Sequence, residues 1–290
     1  MARDIPGQPA SDTVAVTDAE FERLCAFLYR RSGLSYGETK RYFVERRLRD
    51  RMAATGARSF QAYFGKLATD PGEVERLINA FTVNETYFYR EEHQFRCLTG
   101  SLLDRIVARK PAGSPIRIWA IPCATGEEPY SIAIWLLENW PKVDEWDIEI
   151  IGSDIDTRVL KAAEAGLYST RALMRLPEVL VAKYFRRTPA GFLIDEALRG
   201  SVRFTRANVV DAAEMGRYRG FDVVFCRNLL IYFDEVSRRQ AAENIYDSLE
   251  PGGYVCLGHT ESMSRISSLF RVRRFPEAIV YQKPAAPDDD

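Results

Sequence analysis

The stretch Ile116-Arg-Ile-Trp-Ala-Ile121 is a short, mostly apolar run, and Pro122-Cys-Ala-Thr-Gly-Glu-Glu128 follows it directly. The first run predicts a buried strand, and the second predicts a loop that leads into a helix. From here on, strand-like and helical stretches alternate, which is typical of a parallel, doubly wound α/β sheet. The predicted strands cover 116–121, 148–153, 221–226 and 254–258, and the predicted helices cover 129–139, 157–165 and 235–249.

The chain on the N-terminal side of this sheet is predicted to be helical. Apolar residues recur at helical spacing over 17–98, for example at Phe21 and Leu24, and Thr17-Asp-Ala-Glu20 has the pattern of a helix-capping box. We therefore expect a small all-helical domain before the sheet. The predicted division of the chain is 1–14 disordered, 15–98 helical domain, 99–115 linker, 116–283 sheet domain and 284–290 disordered.

Two further features belong to the sheet domain. An irregular, strand-rich insert at about 187–205 predicts a small antiparallel β-subdomain. Residues 270–282 contain two strand-like runs around a turn. The sheet is therefore expected to end in an antiparallel hairpin.

Composition excludes several classes of protein. The 40 basic residues balance the 41 acidic ones, so the summed charge does not favour a nucleic-acid partner. The five cysteines form no C-x-x-C pair and there are only two histidines, so we expect neither a metal site nor a disulfide framework. The sequence contains neither an apolar run of membrane-spanning length nor a signal peptide, which predicts a soluble, cytoplasmic protein without membrane insertion.

The carboxyl ends of the predicted strands are where an open α/β sheet binds its ligand. The loop 122–128 has only one glycine, Gly126, and carries Glu127 and Glu128, which would repel a pyrophosphate. A neutral or cationic nucleoside fits better, and Asp154 after the next strand can accept hydrogen bonds from ribose hydroxyls. Two simpler interpretations stay open: Asp154 as a helix cap, although Asp156 suits that role better, and helix-dipole pairing for one of the two glutamates.

Five motifs follow one another in an order that is typical of one family. They are Asn84-x-Thr86 with Phe88 and Arg90, then Thr125-Gly-Glu-Glu-Pro-Tyr-Ser131, Ser153-Asp-Ile-Asp156, Phe221-Asp-x-x-Phe-Cys-Arg-Asn-x-x-Ile-Tyr-Phe-Asp234, and Leu249-x-Pro-Gly-Gly253 followed by Gly258-His-x-Glu-Ser262. Over about 17–283, the chain resembles the bacterial chemotaxis receptor methyltransferases of the CheR family.

The resemblance implies a small all-helical N-terminal domain and a Rossmann-like methyltransferase sheet with an inserted antiparallel β-subdomain. It also implies S-adenosyl-L-methionine as cofactor, which leaves as S-adenosyl-L-homocysteine. The residues that match the family's cofactor contacts are Asn84, Thr86, Arg90, Glu128, Asp154, Asn208, Val209, Asn228 and Leu229. Arg90 and Tyr232 match residues that flank the transferred methyl group and are the predicted catalytic residues.

The implied reaction suits this composition. The acceptor would be a glutamate side chain of a chemoreceptor, giving a 5-O-methyl ester, and a carboxylate is ionised at neutral pH without a general base. Two simpler interpretations concern the catalytic candidates: Arg90 could form a surface ion pair with Glu91 or Glu92, and Tyr232 could merely end an apolar run.

A basic segment at 38–52 offers a surface for the receptor. Val44, Leu48 and Met52 form the predicted buried stripe of an amphipathic helix. The family resemblance makes this helix the docking site for the cytoplasmic helical region of chemoreceptors; a solvated surface or nucleic-acid backbone binding are the alternatives. The predicted docking residues are Lys40, Arg46, Arg47, Arg49 and Arg51.

The sequence favours three other functions less. A signalling adaptor that binds the cofactor without turnover is disfavoured by the presence of both Arg90 and Tyr232. Methylation of an amine or a base is disfavoured because Cys226-Arg-Asn-Leu stands where an Asp/Asn-Pro-Pro-Tyr/Phe motif would be expected. A nicotinamide dehydrogenase is the weakest candidate, because the glycine fingerprint is missing.

Overall fold

The computed structural model describes residues 16–111 and 113–285. The predictions for 1–14 and for most of 284–290 concern positions outside these ranges. Within them, the chain forms a helical N-terminal unit, a seven-stranded sheet flanked by helices, and a separate three-stranded sheet. The predicted fold class is confirmed.

The N-terminal unit contains four helices. They are α1 (Asp18–Ser32), α2 (Arg41–Thr55), α3 (Phe60–Thr69) and α4 (Pro71–Phe81). The capping box predicted at the start of α1 is present: Glu20 N–H donates to the Thr17 hydroxyl, and the Glu20 carboxylate accepts from Thr17 N–H. The predicted helical region, which extends to residue 98, is interrupted at 82–92, where the chain forms an extended segment and turns.

A second helical stretch follows these turns. It consists of α5 (His93–Cys97), a π-helical turn (Leu98–Leu102) and α6 (Leu103–Arg109). The predicted linker at 99–115 is therefore wrong over its first two thirds. Leu102 and Ile106 are fully buried, so this part of the chain packs as a helix and does not act as a linker.

The remaining elements alternate as the sequence predicted. The strands are β1 (Ile116–Ala120), β2 (Ile148–Asp154), β3 (Leu167–Tyr168), β4 (Phe185–Thr188), β5 (Gly191–Ile194), β6 (Val202–Arg206), β7 (Phe221–Cys226), β8 (Leu249–Leu257), β9 (Arg271–Arg274) and β10 (Ile279–Gln282). The helices are α7 (Glu127–Asn139), α8 (Thr157–Ala165), α9 (Glu178–Tyr184), α10 (Glu196–Ser201), α11 (Ala212–Met215) and α12 (Glu235–Ser248).

The large sheet has the strand order β6-β2-β1-β7-β8-β10-β9. The strands β6, β2, β1, β7 and β8 run parallel to one another. Strands β10 and β9 close the sheet as the predicted antiparallel hairpin. The chain moves from β1 outwards through β2 to one edge and from β7 outwards to the other. The order therefore reverses between β1 and β7, which is where such sheets bind ligands.

The β-subdomain does not have the predicted limits of about 187–205. Its three strands are β3, β5 and β4, so it begins at Leu167, whereas β6 pairs with β2 in the large sheet. Strand β6 was misassigned because it lies at the sheet edge, where alternating polar residues such as Arg203 and Thr205 are tolerated. The two-residue strand β3 is too short to leave a pattern in the sequence.

One hydrophobic core joins the helical unit to the sheet. Successive residues of β1 point to opposite faces: Ile118 packs with α5 to α7, whereas Trp119 belongs to the same cluster as Leu24 and Leu48 of the N-terminal helices. Trp119 stacks on Tyr218 with ring centroids 4.8 Å apart. The N-terminal helices thus cover one face of the sheet.

Candidate active site

A cleft lies at the carboxyl ends of β1, β2, β6 and β7, beside the end of α4. It consists of two adjoining hollows that share Asn84, Asp154, Asn228 and Tyr232. All of the residues predicted to bind the cofactor or to act in catalysis line it: Asn84, Thr86, Arg90, Glu128, Asp154, Asn208, Val209, Asn228, Leu229 and Tyr232. The structure therefore brings together residues that are spread over about half of the sequence.

Asp154 ends β2 with its side chain buried in the cleft wall. Its two carboxylate oxygens accept the N–H groups of Ala124 and Asp156, each at 2.9 Å. Burial raises the pKa of Asp154 to about 6. Asp154 is not the helix cap, because Asp156 accepts the N–H of Arg158 at 2.9 Å and caps α8, as the sequence favoured.

The side chains of the two glutamates at the start of α7 point to different surroundings. Glu127 is buried and accepts from the Thr125 hydroxyl at 2.6 Å, whereas Glu128 lines the cleft. The Oε2 atom of Glu128 accepts from Arg227 at 2.5 Å, and Oε1 is buried with no hydrogen-bond partner in the described part of the chain. Burial raises the pKa of Glu128 to about 7. An unpartnered buried oxygen is costly, so a cationic donor there would be favourable.

Arg90 sits in a tightly turned segment. The residues on either side of it, Tyr89 and Glu91, have positive φ angles of 59° and 55°. The guanidinium of Arg90 donates to the carbonyl of Glu85 at 2.9 Å and lies over the ring of Tyr87. Non-glycine residues with positive φ are held only where the surrounding structure imposes them, so neighbouring contacts fix the direction of Arg90.

Aromatic packing anchors this segment from behind. Phe88 is fully buried, and its ring meets Tyr168 and Phe185 edge to face with centroids 4.8 and 5.2 Å apart. The N–H of Tyr89 donates to the Ser131 hydroxyl of α7 at 3.0 Å. The small sheet and α7 thus hold the turn that carries Arg90.

Two residues that position the site were missed by the sequence analysis. Arg227, the first residue after β7, has only 2% of its side chain exposed and pairs with Glu128. Glu261 accepts the N–H groups of Asn228 and Leu230, each at 2.7 Å, and so fixes the loop after β7. Both lie within quoted motifs, and a charged residue directly after a buried strand is the signal that could have identified Arg227.

The predicted docking helix is α2, and its buried stripe Val44, Leu48 and Met52 is confirmed. Lys40 and Arg46 are exposed. Arg47 and Arg49 are half-buried: Arg47 lies over the ring of Phe43, and Arg49 pairs with Glu45 at 3.5 Å.

Arg51 differs from the other predicted docking residues, because its guanidinium is bound by a buried carboxylate of a neighbouring helix. It donates two hydrogen bonds, of 2.9 and 2.6 Å, to the fully buried carboxylate of Glu73 on α4. Its guanidinium therefore ties two helices together.

Two family models match the chain. One is described as "CheR methyltransferase, SAM binding domain" and matches residues 84–279; the other is described as "CheR methyltransferase, all-alpha domain" and matches residues 19–82. The two models meet in the turn region between α4 and Arg90.

Curated relatives agree over nearly the whole chain. "Chemotaxis protein methyltransferase 2" of Vibrio cholerae is 47% identical, over 93% of this chain and 95% of the relative. "Chemotaxis protein methyltransferase 2" of Pseudomonas aeruginosa is 36% identical over 88% and 90%, and "Chemotaxis protein methyltransferase" of Klebsiella aerogenes is 36% identical over 89% and 88%.

The parallel sheet, its cleft at the point of strand reversal and the matched cofactor-binding model define an S-adenosylmethionine-dependent methyltransferase. The chain belongs to the CheR methyltransferase family. The cleft fits this cofactor, because it combines a buried carboxylate at the end of β2 with a Glu128 oxygen that has no partner among residues 16–111 and 113–285 and that a cationic group can satisfy.

Proposed function

We propose that this methyltransferase modifies glutamate side chains of methyl-accepting chemotaxis proteins and forms glutamate 5-O-methyl esters. The names of the curated relatives support a role in chemotaxis. The observation that carries the choice of acceptor is that a guanidinium, that of Arg90, and a phenol, that of Tyr232, line the same hollow of the cleft. These are two groups that bind a carboxylate well.

The cofactor would be held by the residues that line the two hollows. Bound S-adenosylmethionine supplies a sulfonium methyl group that a nucleophile can attack. Asp154 would accept from the ribose hydroxyls, and Glu128 would face the ammonium group. The remaining proposed contacts are Asn84, Thr86, Arg90, Asn208, Val209, Asn228 and Leu229.

An acceptor carboxylate explains the side chains around the cleft. It is ionised at neutral pH and needs no base to activate it. Both histidines of the chain, His93 and His259, line a separate groove, and burial raises the pKa of the Cys123 thiol well above its usual value. Burial also raises the pKa of Tyr232, so its hydroxyl stays protonated and can donate to the acceptor oxygen. The residues therefore align the reactants and exclude water.

The receptor would dock on the basic residues of α2 and on Lys40, which directly precedes it. Lys40, Arg46, Arg47 and Arg49 would meet an acidic helical surface. Tyr36 stacks on Phe43 of α2 with ring centroids 6.0 Å apart, and the N–H of the preceding residue, Ser35, donates to the carbonyl of Tyr232 at 3.3 Å. The basic helix thus leads towards the cleft. We place this encounter in the cytoplasm; in the described part of the chain, no helix has the length and apolarity needed to cross a membrane.

The test is transfer of a radiolabelled methyl group from S-adenosylmethionine to receptor-containing membranes, followed by mild alkali. Alkali-labile label on a receptor band, released as volatile methanol, is the expected result. Alkali-stable label would instead indicate an amine or a base as acceptor. Binding of the cofactor with no label on any acceptor would favour the adaptor function. The Asp154→Ala variant serves as the control without cofactor binding.

A further inference from the structure

Arg227 is a buried cation to which the proposed function gives no role. It follows β7 directly and only 2% of its side chain is exposed, although it lines the cleft. Burying a guanidinium is expensive unless hydrogen bonds compensate it. The identity of its partners therefore indicates what the residue does.

One branch of the guanidinium holds the cofactor side of the cleft. Its Nη1 atom donates to Oε2 of Glu128 at 2.5 Å. The other oxygen of this carboxylate, Oε1, is the one left without a partner among the described residues. Arg227 therefore fixes the carboxylate and leaves its free oxygen for a ligand.

The other branch holds the turn that carries Arg90. Its Nη2 atom donates to the carbonyl oxygen of Arg90 at 2.6 Å and lies 3.5 Å from the Glu91 carboxylate. Glu91 is held further by Gln94 at 3.0 Å and by His259 at 2.9 Å. The guanidinium thus stabilises the backbone of this turn. Its positive φ angles would be unfavourable without such contacts.

We propose that Arg227 is a positioning residue that couples the cofactor-facing carboxylate of Glu128 to the turn that carries Arg90. The proposal rests on the roles given above to Glu128 and Arg90. The planar fork of an arginine can serve two acceptors in fixed directions at once, which a lysine ammonium on its flexible stem does not do. Replacement by lysine should therefore keep the interaction with Glu128 and lose the hydrogen bond to the backbone of the turn.

The first experiment compares Arg227→Lys and Arg227→Gln in the full-length enzyme. The lysine keeps a cation for Glu128, so its affinity for S-adenosylhomocysteine should stay within about threefold of wild type while kcat at saturating cofactor falls about tenfold or more. The glutamine variant should lose both. A stabilising role alone would lower the melting temperature and leave kcat at saturation unchanged.

A matched control is available at the opposite end of the sheet. Arg117 also forks between a carboxylate, Glu149 at 2.9 Å, and a backbone carbonyl, that of Arg219. Arg117→Lys should change neither cofactor affinity nor kcat. If kcat of both Arg227 variants at saturating cofactor stays within about twofold of wild type, the proposal is overturned.

A second measurement needs no acceptor and so separates this proposal from the proposed function. In a double-mutant cycle, calorimetry gives the affinity for S-adenosylhomocysteine of Arg227→Gln, Glu128→Gln and the double variant. If the two residues are coupled, the fold-loss of affinity in the double variant should be much smaller than the product of the fold-losses in the two single variants. Independent, multiplicative losses would overturn the proposal whatever the acceptor is. If Arg227→Gln does not fold, the same cycle with Arg227→Met, which also removes the cation, decides the question.

Discussion

Asn84 donates a hydrogen bond of 2.9 Å to Oδ2 of Asp156, the residue that caps α8. The same oxygen accepts from the Thr82 hydroxyl at 2.7 Å. Burial alone would raise the pKa of Asp156, but hydrogen bonds from Arg158 and Thr82 outweigh it and hold the pKa below its usual value. One ionised carboxylate thus starts a helix of the sheet domain and ties down the segment that leads from α4 to Arg90.

Removal of the Asp154 carboxylate is expected to abolish cofactor binding. Asp154→Ala removes the acceptor for the ribose hydroxyls, and each lost bond to a charged group costs about 1.5–3 kcal/mol. Titration calorimetry with S-adenosylhomocysteine measures the loss. The control is Asp222→Asn, because Asp222 is a buried carboxylate at the other end of the sheet that pairs with Lys110 at 2.7 Å. Normal binding by Asp154→Ala would refute the assignment.

Cofactor affinity is expected to depend on pH. Burial raises the pKa of Glu128 to about 7 and that of Asp154 to about 6. A raised pKa means that the carboxylate takes up its proton at a higher pH than usual, so affinity should fall as the pH drops through each value. Calorimetry between about pH 8 and about pH 5 measures both steps, and Glu128→Gln should remove only the upper one. Constant affinity down to about pH 5 would contradict both roles.

Changes at the two proposed catalytic residues should affect turnover more than binding. Arg90→Ala should lower kcat by about a hundredfold or more with a modest change in affinity for S-adenosylhomocysteine, because it removes alignment of the acceptor. Tyr232→Phe keeps the ring and removes one donor, so a loss of about tenfold is expected. Tyr254→Phe, in the interior of β8, is the control. Equal losses of kcat and affinity would assign Arg90 to cofactor binding instead.

The basic residues of α2 should separate into two groups. Arg46→Glu should raise the KM for receptor several-fold in a salt-dependent way and leave cofactor affinity unchanged, because Arg46 is exposed. Arg51→Ala should instead lower the free energy of unfolding by about 3 kcal/mol, since it removes a partner of the buried Glu73. Steady-state kinetics and urea unfolding measure these effects.

Lys142→Glu is the matched control for docking, since Lys142 is an exposed cation remote from the cleft. It should leave the KM for receptor unchanged. An equal rise in KM for Lys142→Glu and Arg46→Glu would show that net charge alone, and not α2, governs the encounter.

Asn84, Thr86 and Arg90 follow α4 and were assigned from the family resemblance. The clustering of Glu128, Asp154 and Asn228 was predictable from the sequence, because each follows a strand and the carboxyl ends of neighbouring parallel strands meet at one edge of the sheet. The burial of Arg227 was not, since its acceptors Glu128 and Arg90 lie 99 and 137 residues away. The direction of Arg51 depends on Glu73, which comes from another helix. The assignment of β6 depended on its pairing with β2, which local alternation does not reveal. Long-range partners decided each of these cases.

The hydrophobic core that the N-terminal helices share with one face of the sheet has a mechanical consequence. Leu48 of α2 and Trp119 of β1 are fully buried in the same cluster, so neither unit can swing away without exposing apolar surface. The distance between the basic face of α2 and the cleft is therefore fixed. If a receptor helix docks on α2, this fixed distance would determine which of its glutamates reaches the cleft.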